Sequence, residues 1–280
     1  MQQRELGNTQ VSAIGLGGMP LSVEGRPDRD RAIATVRAAL DAGITLIDTA
    51  DAYSLDETDF GHNEELITEA AKGEDVLIAT KGGHTRTSGG GWGLDGSRGY
   101  LKSACEASLR RLGVEAIGLY QFHRPDPAVP VEESVGALAE LLDEGKIRMA
   151  GVSNFSPSEI TMANDLLGGR LAAVQNQFSP TFQSSLPELE LCDELGIAFL
   201  PWSPLGGISA AGDLGGAFAA VGSELGVSPQ QVCLAWMLAK SPVVLPIPGS
   251  SRPASIADSA RAAALELSAD QIAALDSAVS

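Results

Sequence analysis

Short, largely apolar runs recur along the chain, and a polar residue or a turn closes each one. They are VSAIGL (residues 11–16), ITLI (44–47), VLIA (76–79), IGLYQF (117–122), IRMAGV (147–152), LAAVQ (171–175), IAFLPW (197–202) and VVLPI (243–247). A continuous apolar run bounded by turn residues reads as a strand buried on both faces, as in a parallel sheet. The segments between them carry helix signals. Ile33, Val36, Ala39 and Leu40 fall at helical spacing, and Leu138, Leu141 and Leu142 form a stripe before Gly145. Ser156-Pro157-Ser158-Glu159 is a capping box with proline at the first helical position, Ser228-Pro229-Gln230-Gln231 repeats it, and Ser268-Ala269-Asp270-Gln271 opens a last helix. Eight strands alternating with helices in 280 residues predict a single-domain α/β fold, a (β/α)8 TIM barrel over 1–280. An open doubly wound sheet is the alternative. Residues 4–11, with Asn8 at a turn, suggest a small hairpin before the first strand.

The residues at the ends of these runs carry the chemistry. The second run ends at Asp48, with Tyr53 five positions on; the third leads to Lys81, the fourth to His123. The fifth ends at Ser153 and Asn154, the sixth at Gln175, the seventh at Trp202 and Ser203, and the eighth leads to Gly249-Ser250-Ser251-Arg252. In a barrel these positions crowd one rim, where active sites of that fold lie. Taken singly, each residue has a blander reading: His123 a satisfied core histidine, Lys81 a solvated strand end, Trp202 plain core. Together, Asp, Tyr, Lys and His form a proton-transfer set. A free tyrosine has a pKa of about 10. A neighbouring Lys81 ammonium is expected to lower it, with Asp48 holding Lys81 and His123 donating to a substrate oxygen. Such a set suits protonating a carbonyl oxygen. No side chain delivers hydride to the carbon, so a nicotinamide cofactor is implied.

Charge and cysteines narrow the partners. With 19 basic and 36 acidic residues the net charge is −17, which argues against a nucleic-acid or anionic-membrane surface and requires a local basic spot for any anionic ligand. Cys105, Cys192 and Cys233 lie far apart without metal-type spacing, so no metal site is expected and a reduced, cytoplasmic protein is. The polar N-terminus does not resemble a signal peptide. The uncharged stretch 195–212 is broken by Pro201, Pro204 and glycines, so it is no membrane span. The match of residues 91–96 to GxGxxG is discounted, because it comes after a long Gly-rich loop rather than in a tight strand-to-helix turn. That loop, 82–97, is expected to be mobile over the rim, with Trp92 as a substrate wall.

The chain resembles the aldo-keto reductases from end to end. The resemblance lies in GLGGM (15–19), IDTADAY (47–53), ATK (79–81), LYQFHRPD (119–126), GKIRMAGVSNFS (145–156), VQNQFS (174–179), PWSPLGG (201–207) and PIPGSSRP (246–253). It implies a (β/α)8 barrel binding NADPH and reducing an aldehyde or ketone, with the tetrad Asp48, Tyr53, Lys81 and His123 and Tyr53 as acid/base. It further implies cofactor contacts from Gly18, Met19, Asp48, Ser153, Asn154 and Gln175, the last three holding the nicotinamide carboxamide. Trp202 takes the place of the aromatic that stacks on the ring, and Ser203, Leu205 and Gly206 line the pyrophosphate. Gly249, Ser251, Arg252, Ser255 and Ser259 complete the set, Arg252 reading the 2′-phosphate. Two positions depart from the family pattern. Ser259 stands where relatives often carry an adenine-contacting Asn, and Gly118 where they often carry Asp.

Two other classes stay open at this level: a Schiff-base lyase or aldolase using Lys81, and a non-catalytic, cofactor-sensing partner subunit. The resemblance implies a monomer acting on a small carbonyl compound. Its identity depends on loops 82–97, 179–186 and 203–215.

Overall fold

Alternation along each strand builds the barrel. The computed structural model describes residues 1–207 and 214–279; within loop 203–215, residues 208–213 lie outside the described residues. Strands β1 (Gln3–Leu6) and β2 (Thr9–Ser12) form an antiparallel hairpin. Then come β3 (Leu16–Gly17), α1 (Arg29–Asp41), β4 (Leu46–Asp48), α2 (His62–Ala70) and β5 (Leu77–Gly82). A second hairpin, β6 (His84–Arg86) with β7 (Trp92–Leu94), precedes α3 (Arg98–Leu112). The remainder runs β8 (Ile117–Phe122), α4 (Val131–Asp143), β9 (Ile147–Ser153), α5 (Pro157–Leu166), β10 (Leu171–Gln175), α6 (Leu186–Leu195) and β11 (Ala198–Phe199). Four helices end it: α7 (Gly216–Leu225), α8 (Pro229–Leu238), α9 (Pro253–Ala260) and α10 (Ala269–Val279).

The main sheet is parallel and seven-stranded, in the order β3-β4-β5-β8-β9-β10-β11. Residues 243–249 close it into a (β/α)8 barrel. Phe199 N–H donates to the Val243 carbonyl and Leu245 N–H to the Phe199 carbonyl, both at 2.8 Å. On the other edge Gly15 and Gly17 donate to the Pro246 and Pro248 carbonyls at 2.9 and 3.0 Å. The eighth run is therefore in place but forms only isolated bridges, Phe199 with Val244 and Gly17 with Gly249. Pro246 and Pro248 have no N–H to continue a ladder, while their carbonyls still accept.

Two other expectations need correction. The first run splits: Val11 and Ser12 belong to the N-terminal hairpin, and only Leu16 onward enters the barrel. The hairpin turns at Gly7 (φ 55°), a left-handed conformation that glycine adopts at little cost. It places Leu6 and Val11 in the same cluster as Leu46, Ala79, Leu119, Met149, Ala173 and Leu245, and so plugs the barrel's N-terminal end. Burying a leucine completely, as at Leu6, contributes about 1.5–3 kcal/mol. Arg4 ties the plug down, donating to the Leu238, Ser241 and Val244 carbonyls at 2.6–2.8 Å. The second correction is at the start of α8. Ser228 caps the helix by accepting from Gln231 N–H at 3.1 Å, but the Gln231 side chain donates to Asp258 (2.6 Å) instead of returning to the cap. At Ser156/Glu159 and Ser268/Gln271 the reciprocal bonds form.

Inside the barrel, side chains alternate with period two. Leu46, Ala79, Leu119 and Ala173 point inward as a floor, while Ile47, Tyr120, Val152 and Val174 pack outward against the helices. Two residues further along each strand the inward positions are Asp48, Lys81, Gln121 and Gln175. Register puts Lys81 level with Gln121, and Gln121 level with Gly151. A Cβ on Gly151 would lie 2.8 Å from Gln121 Cγ, so glycine there makes room for the glutamine. The polar layer thus sits on the apolar floor at the carboxyl ends of the strands.

Candidate active site

Lys81 is the centre of that layer. It is fully buried, not a solvated strand end. Its ammonium donates to Asp48 Oδ2 at 2.6 Å, to the Thr49 carbonyl at 2.9 Å and to Tyr53 Oη at 3.0 Å. All three donors of the ammonium are thereby used. Gln175 and Gln121 donate to the other Asp48 oxygen at 2.7 and 3.3 Å, so the carboxylate is held from both sides. Tyr53 accepts from Lys81, which leaves its own O–H for a ligand. The Tyr53 and His123 rings meet edge to face at 5.6 Å.

The electrostatics correct one expectation. Burial pushes the Tyr53 phenol above its ordinary pKa, and Lys81 opposes this without reversing it. The resting tyrosine is a protonated donor, not an easily ionised one. Burial would discharge Lys81, but the attraction of Asp48 and Tyr53 outweighs it and the ammonium is held above its ordinary value. His123 goes the other way. Burial, then Lys81, His84 and Arg124, drive it well below the ordinary histidine range, so the ring is neutral. Its buried Nδ1 has no hydrogen-bond partner.

A cavity of about 810 Å³ opens on this layer. Asp48, Tyr53 and His123 line it, joined by Met19, Ser153, Asn154 and Gln175. Trp202, Ser203 and Leu205 form its next wall; Gly249, Ser251, Arg252, Ser255 and Ser259 follow from the eighth strand end and α9. Three expected residues do not line it. Lys81 lies behind Tyr53. Gly18 faces Asn63 and Ile67, where an added Cβ would meet Asn63 Oδ1 at 2.6 Å. Gly206 is not in the lining although Leu205 and Gly207 beside it are, and its N–H donates to the Ser203 carbonyl at 2.9 Å.

The wall is held by a short relay. Trp202 Nε1 donates to Asn154 Oδ1 at 3.2 Å, and Asn154 Nδ2 donates to the His123 carbonyl and to Ser153 Oγ, both at 3.0 Å. Ser153 Oγ donates to the Gln175 carbonyl at 2.7 Å. Among the described residues, Asn154 (φ 63°) and Ser203 (φ 51°) are the non-glycine positions with left-handed backbone. Both line the cavity, and strain of this kind, about 1–3 kcal/mol each, gathers at functional sites.

The segment expected as a mobile loop is in part an ordered hairpin. His84 pairs with Leu94 and Arg86 with Trp92, so the GxGxxG match lies partly in a strand and is no phosphate loop. Arg86 stacks 3.9 Å from the Trp92 ring centroid, and His84 meets Trp92 edge-on at 5.4 Å and His123 at 4.3 Å. Trp92 does line the cavity, together with His84 and Arg124, two residues that the strand-end pattern does not single out. Their signal is position: Arg124 directly follows His123, and His84 lies just beyond the third strand end. Among the described residues, no cluster of three or more His, Cys, Asp or Glu residues could hold a metal ion, and no helix is long and apolar enough to cross a membrane.

The barrel thus carries a buried, hydrogen-bonded Asp48–Lys81–Tyr53 chain at its strand ends. The Aldo/keto reductase family model matches residues 13–280. An uncharacterized oxidoreductase of Schizosaccharomyces pombe is 36% identical, covering 97% of this chain and 88% of that protein. A 6-dehydroglucose reductase of Novosphingobium aromaticivorans is 37% identical over 92% of this chain and 89% of that protein. The crystal structure of an aldo/keto reductase from Klebsiella pneumoniae in complex with NADP and acetate superposes with a TM-score of 0.82 at 26% identity, covering 98% of this chain and 94% of that one. The chain belongs to the aldo/keto reductase family of carbonyl-reducing oxidoreductases, whose members use a nicotinamide cofactor.

Proposed function

We propose that the protein reduces an aldehyde or ketone to the alcohol with NADPH, Tyr53 giving the proton. The observation that carries this is the Lys81 ammonium, bonded at once to Asp48 and to the Tyr53 hydroxyl that opens on the cavity. When bound, the nicotinamide supplies hydride to the carbonyl carbon. The residues present fit such a group. Gln175 Oε1, Asn154 Oδ1 and Ser153 Oγ each keep acceptor capacity for a carboxamide amine, and Trp202 offers a ring face fixed by its bond to Asn154. The protonated Tyr53 then donates to the carbonyl oxygen as charge develops there, and Lys81 stabilises the phenolate left behind. His123, neutral, orients the same oxygen. The Schiff-base reading loses ground, because it needs a neutral amine where Lys81 is held charged with its hydrogens committed. Consumption of NADPH across a panel of aldehydes tests the proposal; a panel without turnover overturns it.

Recognition of NADPH over NADH is assigned to Arg252. Its guanidinium is exposed at the cavity and pairs with no carboxylate among the described residues. Asp258, an acid six residues further on, instead accepts from Ser228, Gln231 and Arg261. Arg252 precedes α9, whose N-terminus has no side-chain cap and whose first turn, Ala254 and Ser255, lines the cavity. An uncapped helix start beside a guanidinium favours a dianion. Arg252→Ala is expected to weaken NADPH binding about tenfold, with little change for NADH. Fluorescence titration with both nucleotides checks this; equal losses would show that Arg252 does not read the 2′-phosphate.

We further propose a monomer acting in a reducing cytoplasm as one domain. Three buried free thiols support the compartment. The exposed large apolar side chains among the described residues, Met1, Met19, Trp92, Val114, Leu166, Phe182, Leu195 and Leu225, come from separate stretches of the chain and support the monomer.

A further inference from the structure

The ring of strand ends separates two arginines. In the order β3-β4-β5-β8-β9-β10-β11 closed by residues 243–249, β8 is the fourth position and the closing segment the eighth, so their ends face each other across the barrel. Arg252 follows the eighth. Arg124 follows the fourth, next to His123, and stands with His84, Trp92 and Tyr53 in the cavity lining. Arg252 therefore serves the side assigned to the nucleotide phosphate, and Arg124 the side where the carbonyl reacts.

Among the described residues, the charges around Arg124 are committed elsewhere. The acids of the cavity lining are Asp48, bonded to Lys81, and Asp258, bonded to Ser228, Gln231 and Arg261 on the far side. Asp126, two residues beyond Arg124, accepts from the Gly96 and Ala128 N–H groups. Glu24 pairs with Arg86. No carboxylate among the described residues pairs with the exposed Arg124 guanidinium. The two nearby imidazoles do not compete for an anion: burial keeps both below the ordinary histidine range, and Arg124 adds to the effect. In a chain of net charge −17, this rim position is a local positive spot on a repelling background. Beside it Trp92, held by Arg86 and His84, is exposed and lines the cavity, adding apolar surface.

We propose that the substrate is an aldehyde or ketone carrying a carboxylate, its carbonyl at Tyr53 and His123, its body along Trp92 and its carboxylate on the Arg124 guanidinium. This rests on the reductase reading above and adds a substrate class to it. A guanidinium suits the task because its planar fork gives a carboxylate two parallel hydrogen bonds.

The test compares para-formylbenzoate with its uncharged methyl ester, using NADPH and both wild type and Arg124→Gln. Wild type should favour the carboxylate, and Arg124→Gln should lower the carboxylate-to-ester ratio of kcat/KM about tenfold, mainly through KM. Arg124→Lys should restore part of the ratio, and added salt should erode it in wild type. A wild type that favours the ester, or a ratio unmoved by Arg124→Gln, overturns the proposal while leaving the reductase reading intact. Consumption of neither aldehyde, nor of any member of the wider aldehyde panel, refutes the reductase reading itself. The subsite is then decided by calorimetric titration of the NADP+-treated protein with para-(hydroxymethyl)benzoate. Binding about tenfold weaker in Arg124→Gln supports it; binding lost in Arg252→Ala and kept in Arg124→Gln overturns it.

Discussion

Tyr53→Phe is expected to lower carbonyl reduction by about 10²–10⁴-fold, the range that a positioned general acid contributes. The variant loses one oxygen, and among the described residues that oxygen makes a single protein hydrogen bond, the 3.0 Å bond from Lys81. Lys81 keeps Asp48 and the Thr49 carbonyl, and Asp48 keeps both glutamines. Fold and nucleotide site should therefore survive, and NADPH should still quench tryptophan fluorescence. The pH profile carries a second readout. With Tyr53 held above the ordinary phenol value by burial, the protonated donor persists throughout the neutral range. Wild-type reduction should stay flat with rising pH until beyond about 10, the ordinary phenol value. Oxidation of the alcohol, which needs the phenolate, should climb across the same range. Near-normal turnover in the Phe variant would remove Tyr53 from the chemistry.

Much of this site was legible in the sequence, because a barrel strand converts spacing into direction. Asp48 lies two residues after Leu46 and Lys81 two after Ala79, so each polar side chain points inward above an apolar one. His123 sits four after Leu119 and obeys the same rule. What the sequence could not supply was depth. Lys81 beside Tyr53 suggests a lowered phenol pKa if the pair is wet. Burial of both reverses the sign, and burial is a property of the closed ring rather than of any local stretch. The eighth segment has the composition of a strand but two prolines in alternate positions, so it closes the ring without a ladder. The hairpin of β6 and β7 was hidden by its glycines, which read as loop. Its pairing is held by tertiary contacts that no window contains: Arg86 to Leu55 and Glu24, and His84 to His123. Arg124 is visible in the HRPD run, but that no carboxylate among the described residues pairs with it follows from the fold, in which Asp126 is bonded to its own loop and to Gly96.

Lys81→Met should cut reduction by about 10²–10³-fold, as when one preorganised donor is removed from a buried site. In the proposed reaction the ammonium stabilises the phenolate left when Tyr53 gives up its proton, through their direct 3.0 Å hydrogen bond. Its removal deletes the largest influence that lowers the Tyr53 pKa, while burial and Asp48 continue to raise it. The phenol becomes a weaker acid, and the alkaline limit of reduction moves to still higher pH. Because the overall equilibrium is fixed, alcohol oxidation must lose by the same factor wherever cofactor binding is unaltered. The substitution also strands the buried Asp48 carboxylate, a loss of about 3–5 kcal/mol when one partner of a buried pair is removed. Instability alone would mimic a catalytic defect, so the deciding variant is the double substitution Asp48→Asn with Lys81→Met. It discards the stranded charge, and the asparagine carbonyl still accepts from Gln175. Thermal melts should show stability recovered towards wild type, while reduction stays low and its alkaline limit stays shifted. A double variant that reduces at the wild-type rate with the wild-type pH profile would make Lys81 a structural cation and leave Tyr53 to act without it.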